Sequence, residues 1–120
     1  MPFVSILRNL LDTTHGAIAA MFLDYEGETV ALLTEHDLAE DDLRIAGAYQ
    51  GIFLNRLRRL CGTIAVGRPM RFKLEFEKMK VLLSDLEDGY YVVLLMADKA
   101  NEGLAWHRLE HCREALLKEM

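Results

Sequence analysis

The chain has 120 residues, of which 52% are hydrophobic, and it carries a formal net charge of −5 at pH 7. The acidic balance argues against a nucleic-acid-binding protein, because such proteins carry a basic excess, and no apolar run approaches the roughly 20 residues that span a bilayer. No basic region precedes an apolar run at the N-terminus, and Cys61 and Cys112 have no paired spacing. We therefore expect a single domain over residues 1–120, cytoplasmic, with reduced thiols and no membrane insertion.

The first part of the chain predicts a helix followed by a β-hairpin. Apolar residues at helical spacing predict the helix from about Pro2 to Thr14. Two apolar runs, Ala17–Leu23 and Thr29–Leu33, flank a turn in which Gly27 is expected at positive φ. Both runs are so apolar that we expect these strands in the middle of a sheet that is covered on both faces.

A long amphipathic helix is predicted next. The acidic segment Glu35–Asp42 precedes it, where a helix N-terminus favours negative charge. We expect the helix to end near Gly62 as its C-cap, after about 20 residues or ~30 Å, which is enough to cross a five-stranded sheet. Its apolar residues recur at intervals of three or four and are Ile45, Tyr49, Ile52, Phe53, Leu57 and Leu60.

The last part of the chain predicts three strands and a final helix. Residues 71–77 alternate between polar and apolar side chains, which predicts a half-buried strand. Val81–Leu86 and Tyr90–Met96 predict a second hairpin, and Asn101 is expected to cap a helix that runs to the C-terminus.

One sequence pattern matches a catalytic motif. His107-Arg108-Leu109-Glu110-His111 has the spacing of the inverted zinc-peptidase motif, and its two histidines lie one turn apart on a helix. The third ligand of that pattern lies well downstream, whereas nine residues follow His111 here. We interpret the pair as surface histidines, and we expect no role for zinc, no other cofactor and no catalytic residue.

Three other features have a structural and a functional interpretation. Cys61 falls at an apolar helix position, so we expect burial in preference to reactivity. Asp85, with the neighbouring acidic residues 87 and 88, is expected in a solvated hairpin turn. Trp106 packs in the core in one interpretation and contacts a partner in the other.

Four short motifs, in this order, resemble the roadblock / dynein light chain family. They are Gly16-Ala17 before the first strand, Asp24-x-x-Gly27 in the first hairpin, Asp88-Gly89-Tyr90 opening the last strand, and Asn101-x-Gly103 opening the last helix. The resemblance covers nearly the whole chain. It implies an α+β sandwich with a five-stranded antiparallel sheet in the order 2-1-5-4-3. The long central helix would cover one face, and the first and last helices would cover the other.

The resemblance also implies a function. Members of that family dimerise and serve small Ras-like GTPases, either as scaffolds or, in a bacterial gliding-motility protein, as activators of the GTPase. It therefore implies a homodimeric adaptor or regulator of a small GTPase, with no chemistry of its own. The alternative is a structural self-association module that recruits non-GTPase partners. An enzyme or small-molecule binder of similar mixed fold is a third interpretation, which a deep polar pocket would favour.

Charge is unevenly distributed along the predicted central helix. Five carboxylates lie in Glu35–Asp42, whereas six of the fourteen basic residues lie within residues 56–73. Two such helices laid antiparallel would bring unlike charges together, which favours a two-fold dimer. The same polarity would also complement the dipole of a single helix, and both explanations can hold.

By the family's strand order the third strand lies at an exposed sheet edge, which a monomer must protect from pairing. With a two-fold axis at Leu74, Lys73 would face Glu75 of the partner subunit, and Arg71 would face Glu77 of the partner subunit. These charges would set the register, and the apolar side chains beneath the central helices would supply most of the stabilisation. The predicted dimer interface comprises Tyr49, Ile52, Phe53, Leu57, Arg71, Phe72, Lys73, Leu74, Glu75, Phe76 and Glu77. A partner-binding surface is predicted on the outer side of the central helix at Gln50, Arg56 and Arg59.

Overall fold

The computed structural model describes residues 2–120 of the chain. Three helices and five strands follow one another in the predicted order. The helices are α1 (Pro2–Thr13), α2 (Glu40–Ile64) and α3 (Glu102–Glu119). The strands are β1 (Ala17–Leu23), β2 (Thr29–Thr34), β3 (Arg71–Glu75), β4 (Met79–Asp85) and β5 (Tyr91–Ala97).

The five strands form one antiparallel sheet in the order β2-β1-β5-β4-β3. Each face of this sheet has its own apolar core. On one face, Leu43 and Leu54 of α2 pack against the strands. On the other face, α1 and α3 lie side by side and bury residues such as Leu7 and Leu109. The predicted α+β sandwich, with its strand order and its division of helices, is confirmed.

The first hairpin turn shows how local sequence sets the backbone. The Asp24 carboxylate accepts hydrogen bonds from the backbone N–H groups of Glu26 and Glu28 at 2.9 and 3.0 Å. Gly27 then adopts a φ of 82°, which glycine tolerates because it has no Cβ. The predicted positive φ at Gly27 is therefore confirmed.

β2 lies at a sheet edge, so the expectation that both strands of the first hairpin occupy the middle of the sheet is wrong for β2. β1 is an inner strand, whereas β2 pairs with β1 alone among residues 2–120. Both faces of β2 are nevertheless contacted by helices, α1 on one side and α2 on the other. Hydrophobicity reports whether the faces of a strand are covered, and it does not report whether the backbone has a neighbour in the plane of the sheet.

Two predicted element ends also differ from the structure. β3 ends at Glu75, so Phe76 and Glu77 lie in the following turn and not in the strand. α2 continues past Gly62 to Ile64, and Ala65 takes the left-handed cap conformation at φ 55°. A glycine costs a helix interior only about 1 kcal/mol relative to alanine, so Gly62 alone does not end the helix.

The face of α2 that contacts the sheet carries two glycines. Gly47 and Gly51 lie one turn apart on this face and are buried. The Tyr91 hydroxyl, on β5 below, donates a hydrogen bond to the Gly47 carbonyl at 2.9 Å. Burial raises the pKa of Tyr91 to about 12, so this hydroxyl remains a donor at neutral pH. α2 therefore lies close against the sheet, and most of its large apolar side chains point elsewhere.

Candidate interaction surface

β3 forms the second edge of the sheet. Within residues 2–120 it pairs with β4 alone, so one side of its backbone has no neighbouring strand. Phe72 and Leu74 pack, partly buried, against the core beneath α2, as predicted. Arg71, Lys73 and Glu75 lie on the opposite, exposed face. An edge of this kind, with an unpaired backbone and apolar side chains on one face, can pair with a further strand.

Lys73 is the centre of an ion-pair cluster on the exposed face of β3. Its Nζ lies 2.7 Å from Glu75 Oε1 and 3.0 Å from Glu102 Oε1, and Lys80 Nζ lies 3.2 Å from the same Glu102 oxygen. Hydrogen bonds to Glu75 and, as the second cause, to Glu102 raise the pKa of Lys73. The hydrogen bonds from the Lys73 ammonium lower the pKa of both carboxyls. Lys73 and Glu75 are thus already paired within one chain. To form the predicted cross-strand pairs, each side chain would have to exchange its partner in this cluster for a residue of the second copy.

Trp106 lies beneath the same edge. Its ring is partly buried against the core between the sheet and the two helices α1 and α3. The Arg71 guanidinium carbon lies 5.2 Å from the ring centroid, within the range of a cation–π contact. Trp106 packs against the core while staying partly exposed, and Arg71 is held near α3 by this contact.

The apolar side chains predicted on α2 divide into two series. One series points away from the sheet and consists of Ile45, Tyr49 and Ile52. The arginines at positions 56 and 59 continue it, and we call these five exposed residues the outer face of α2. The predicted interface residues Tyr49 and Ile52 therefore lie away from β3. Arg56 and Arg59 lie on the outer side of the helix, as predicted.

The other series lines two cavities between α2 and the sheet, on the side of β3; we call them together the α2 groove. The first cavity, of about 360 Å³, lies beside the N-terminal half of the helix. The second, of about 380 Å³, lies beside the C-terminal half. The helix residues at these cavities lie mostly three or four positions apart, as one side of a helix requires. They are Asp42, Leu43, Ala46 and Gln50 at the first cavity and Phe53, Arg56, Leu57 and Leu60 at the second, so Arg56 borders both the outer face and the groove.

Gln50 belongs to the α2 groove, so its predicted place on the outer side of α2 is wrong. Its side chain is 7% exposed, and its amide nitrogen donates to the Ala46 carbonyl at 3.4 Å. Within residues 2–120 its Oε1 atom has no hydrogen-bond partner. A buried amide oxygen without a partner costs free energy.

A partly buried ion pair ties α2 to the end of β4, and no signal in the sequence predicted it. Arg58 Nη2 lies 2.6 Å from Asp85 Oδ1. The expectation that Asp85 is solvated is wrong, because only 5% of its side chain is exposed. Arg58 also donates to Asn55 Oδ1 at 2.8 Å, and Arg113 Nε donates to the Asp85 backbone carbonyl at 2.8 Å. Asp85 thereby links α2, the sheet and α3.

The histidine pair and the cysteines form no recognisable chemical site. The rings of His107 and His111 lie 4.6 Å apart on the exposed face of α3. In the described part of the chain, no group of three or more His, Cys, Asp or Glu side chains could hold a metal ion. Cys61 is half-buried, so the expected burial is wrong, whereas Cys112 is buried and its pKa is raised to about 12 by burial. Over residues 2–120 no helix is both long and apolar enough to cross a membrane.

Comparison with known proteins shows which solved structures share this architecture. No family model and no curated protein sequence matches the chain. Solved structures do match: the gliding protein MglB from Thermus thermophilus aligns with a TM-score of 0.86 over 98% of this chain and 87% of that chain, at 19% identity. Myxococcus xanthus MglB aligns with a TM-score of 0.87 over 98% and 86%, at 13% identity. A Roadblock/LC7 domain from Streptomyces avermitilis aligns with a TM-score of 0.84 over 94% and 92%, at 13% identity. The chain has the roadblock fold.

The motifs that carry the resemblance maintain turns and caps of the roadblock fold. Gly16 has a φ of 87°, and a Cβ there would lie 2.4 Å from a neighbouring side chain. Gly89 has a φ of 83°, and a Cβ there would lie 2.6 Å from the Tyr25 Cβ. Asn101 caps α3 by accepting a backbone hydrogen bond at 3.0 Å. These motifs report the fold, and the function must be argued from the surface of α2 and β3.

Proposed function

We propose that this protein is a homodimeric roadblock-type adaptor that regulates a small Ras-like GTPase in the cytoplasm, without catalytic residues of its own. The observation that carries this proposal is the outer face of α2, where Ile45, Tyr49 and Ile52 expose large apolar side chains beside Arg56 and Arg59. Soluble helices normally turn their apolar stripe to the core. An apolar helix face directed to solvent, with aromatic and arginine residues, has the composition of a protein-binding surface.

The class of partner is suggested by the resemblance, since roadblock-type proteins serve small Ras-like GTPases. An adaptor without catalytic groups changes the activity of a GTPase by binding one of its conformations more tightly than another. The outer face supplies aliphatic, tyrosine and arginine side chains for that contact, and tyrosine and arginine are the types that contribute most at protein interfaces. In a two-fold dimer, the outer faces of both α2 helices would lie on the same side of the joined sheets.

Retention of partners from a cell lysate, in the presence of GDP or a GTP analogue, tests the class of partner. We expect the immobilised dimer to retain a small GTPase, and we expect the amount to depend on the nucleotide. If the retained partners bind equally well with GDP and with a GTP analogue, the result would instead support a self-association module that recruits other proteins.

Reversing charge on the outer face is expected to weaken partner binding. The double variant Arg56→Glu/Arg59→Glu replaces two basic side chains by acidic ones. Within residues 2–120 neither arginine forms an ion pair, so the change breaks no ion pair of the fold. We expect at least about a tenfold loss of affinity for the retained partner, because interfacial like charges cost several kcal/mol. We expect the dimer to persist, and sedimentation velocity of the double variant checks this because Arg56 also borders the second cavity beside β3. Arg44→Glu, an exposed change about three turns earlier on the same helix, is the control. Normal binding by the double variant would place the contact elsewhere.

The dimer itself is expected to depend on pairing of β3 with its copy. Lys73→Glu and Glu75→Lys should each weaken the dimer about three- to tenfold, since two cross-strand pairs of roughly 0.2–1 kcal/mol are reversed. The double swap should restore it. Lys80→Glu disturbs the same ion-pair cluster from the inner strand β4, so it should leave the dimer unchanged. Sedimentation velocity measures all four variants, and unchanged dimers in both single β3 variants would exclude this register.

A further inference from the structure

We propose that the C-terminal end of α2 and the loop after it bind peripherally to the surface of an anionic phospholipid bilayer. This inference goes beyond the proposed function and does not depend on it. No spanning segment is required, because the side chains reach only the headgroup layer and the adjoining ends of the acyl chains. The binding surface, which we call the α2 tip, consists of the exposed residues Arg59, Leu60, Ile64, Val66, Arg68 and Met70.

Large apolar side chains are concentrated and exposed at the α2 tip. Leu60, Ile64, Val66 and Met70 each expose between 52% and 66% of their surface, and none of them packs against either core. Val66 has the largest exposed fraction of any large apolar residue within residues 2–120. None of the four is aromatic, whereas protein interfaces are enriched in aromatic residues. Protruding aliphatic side chains suit a bilayer, which offers a fluid apolar phase instead of a matching pocket.

The fold holds the loop part of the α2 tip against the helix. α2 ends at Ile64, and the left-handed conformation of Ala65 turns the chain back. Loop residues 67–69 and the last two turns of the helix together line a cavity of about 390 Å³. The Met70 carbonyl accepts a hydrogen bond from the Asp85 backbone N–H at 2.8 Å. The apolar side chains of helix and loop are therefore presented together at one end of the molecule.

The α2 tip is basic in a chain that is acidic overall. Residues 43–74 contain seven basic side chains and no acidic one, although the chain has a net charge of −5. Arg59 and Arg68 are exposed and form no ion pair within residues 2–120. The net charge alone would repel an anionic surface. Attraction therefore depends on the local charge of the α2 tip, which would also orient the molecule on the bilayer.

Carboxylates of the same chain do not cancel this charge. The acidic segment 35–42 lies at the opposite end of the 25-residue helix, about 25–35 Å from the α2 tip at 1.5 Å per residue. That distance is about three or more Debye lengths at physiological salt. Asp85, which the fold brings to the C-terminal half of α2, is already paired with Arg58.

The combination of charge and apolar surface fits anionic phospholipids. A guanidinium donates two parallel hydrogen bonds to a phosphate group, and each basic side chain near an anionic bilayer strengthens binding about fivefold. The apolar side chains add to this by leaving water. Either contribution alone gives weak and reversible binding, whereas the two together give a stable contact.

Cosedimentation of the full chain with vesicles tests the class of lipid. One set of vesicles contains phosphatidylglycerol and phosphatidylcholine, and the other contains phosphatidylcholine alone. We expect binding to the anionic vesicles to be at least about tenfold tighter, because two unpaired arginines contribute about fivefold each. This difference should shrink as the salt concentration is raised. Equal binding to both kinds of vesicle, or no binding to either, would overturn the proposal.

Two exposed valines provide a matched test of the apolar contact. Val66→Ser should weaken binding to the anionic vesicles about three- to tenfold, because it removes apolar surface without a change of charge. Val4 is exposed on α1, which covers the opposite face of the sheet, so Val4→Ser should bind like the wild type. Thermal unfolding of both variants verifies that the fold is intact. Equal binding by the two variants would contradict an apolar contact at the α2 tip.

Two substitutions of Arg68 test the charge. Arg68→Glu should weaken binding to the anionic vesicles by about tenfold or more, because it removes an attraction worth about fivefold and adds a repulsion. Arg68→Lys keeps the charge and should bind nearly as well as the wild type. If Arg68→Glu binds like Arg68→Lys, the α2 tip does not face the lipid.

A second copy of the chain is the other occupant that the α2 tip could have. Sedimentation velocity of Ile64→Ser/Val66→Ser without vesicles distinguishes it from lipid. We expect this variant to sediment like the wild type while its binding to anionic vesicles falls at least about tenfold. A dimer that dissociates in this variant would mean that the partner subunit covers the α2 tip, and the proposal would be wrong.

Discussion

Gly51→Ala is expected to lower the free energy of unfolding by about 1–2 kcal/mol, although alanine is the better helix former by about 1 kcal/mol. The reason is steric: a Cβ at this position would lie 2.5 Å from the Tyr91 hydroxyl oxygen and 3.0 Å from its Cζ. Tyr91 is 1% exposed and cannot turn aside. The helix would have to rise from the sheet, and such overpacking costs about 1–3 kcal/mol.

Urea unfolding of two glycine variants separates this contact from helix propensity. Gly62 lies in the same helix, and a Cβ there would meet nothing within 4 Å. Gly62→Ala should therefore stabilise the protein by about 0.5–1 kcal/mol. Adding Tyr91→Phe to Gly51→Ala removes the nearest atom and should recover part of the loss. If Gly51→Ala were as stabilising as Gly62→Ala, the close approach of α2 to the sheet would be wrong.

Asp85→Ala is expected to destabilise the protein by about 2–3 kcal/mol. It removes the carboxylate 2.6 Å from Arg58 and leaves that guanidinium, whose side chain is 28% exposed, without its ionic partner. Loss of one member of a fully buried pair costs about 3–5 kcal/mol, and the partial exposure of Arg58 reduces this figure because water reaches the remaining charge.

The control for this change lies two residues away. Glu87 is exposed in the same hairpin and forms no ion pair within residues 2–120, so Glu87→Ala should change the stability by less than about 0.5 kcal/mol. In a double-mutant cycle with Arg58→Ala, the second substitution should cost much less than the first, since the interaction is already lost. Additive effects of the two substitutions would mean that Arg58 and Asp85 do not interact.

Both predictions concern how α2 is held, and this determines where its surfaces face. Gly51 sets the distance between helix and sheet, and the Arg58–Asp85 pair anchors the C-terminal half. Together they leave the outer face exposed and the α2 groove open beside β3.

The periodic parts of the sequence predicted the helices and strands well, and the resemblance implied how they are arranged. The strand boundaries of β1 were predicted to the residue, and Asn101 caps α3 as expected. These signals are local: a run of apolar residues between turn residues, or a capping side chain before a helix, acts through neighbours in the chain. The ends of α2 and β3 were less accurate, because a helix can pass through a glycine and a strand can end within an alternating pattern.

Tertiary structure alone decided which surface of α2 is buried. Hydrophobicity indicated Ile45, Tyr49 and Ile52 as an apolar stripe, yet the helix packs through Gly47 and Gly51 because they allow the closest approach to Tyr91. Likewise, hydrophobicity predicted β2 in the middle of the sheet, whereas the strand order that the resemblance implied, and that the structure confirms, places it at an edge. Contacts between residues distant in the chain, such as the ion pair of Arg58 with Asp85, produce no periodic pattern in the sequence. The sequence by itself therefore determined the elements and their order, and the packing of these elements determined which of their surfaces remain available to a partner.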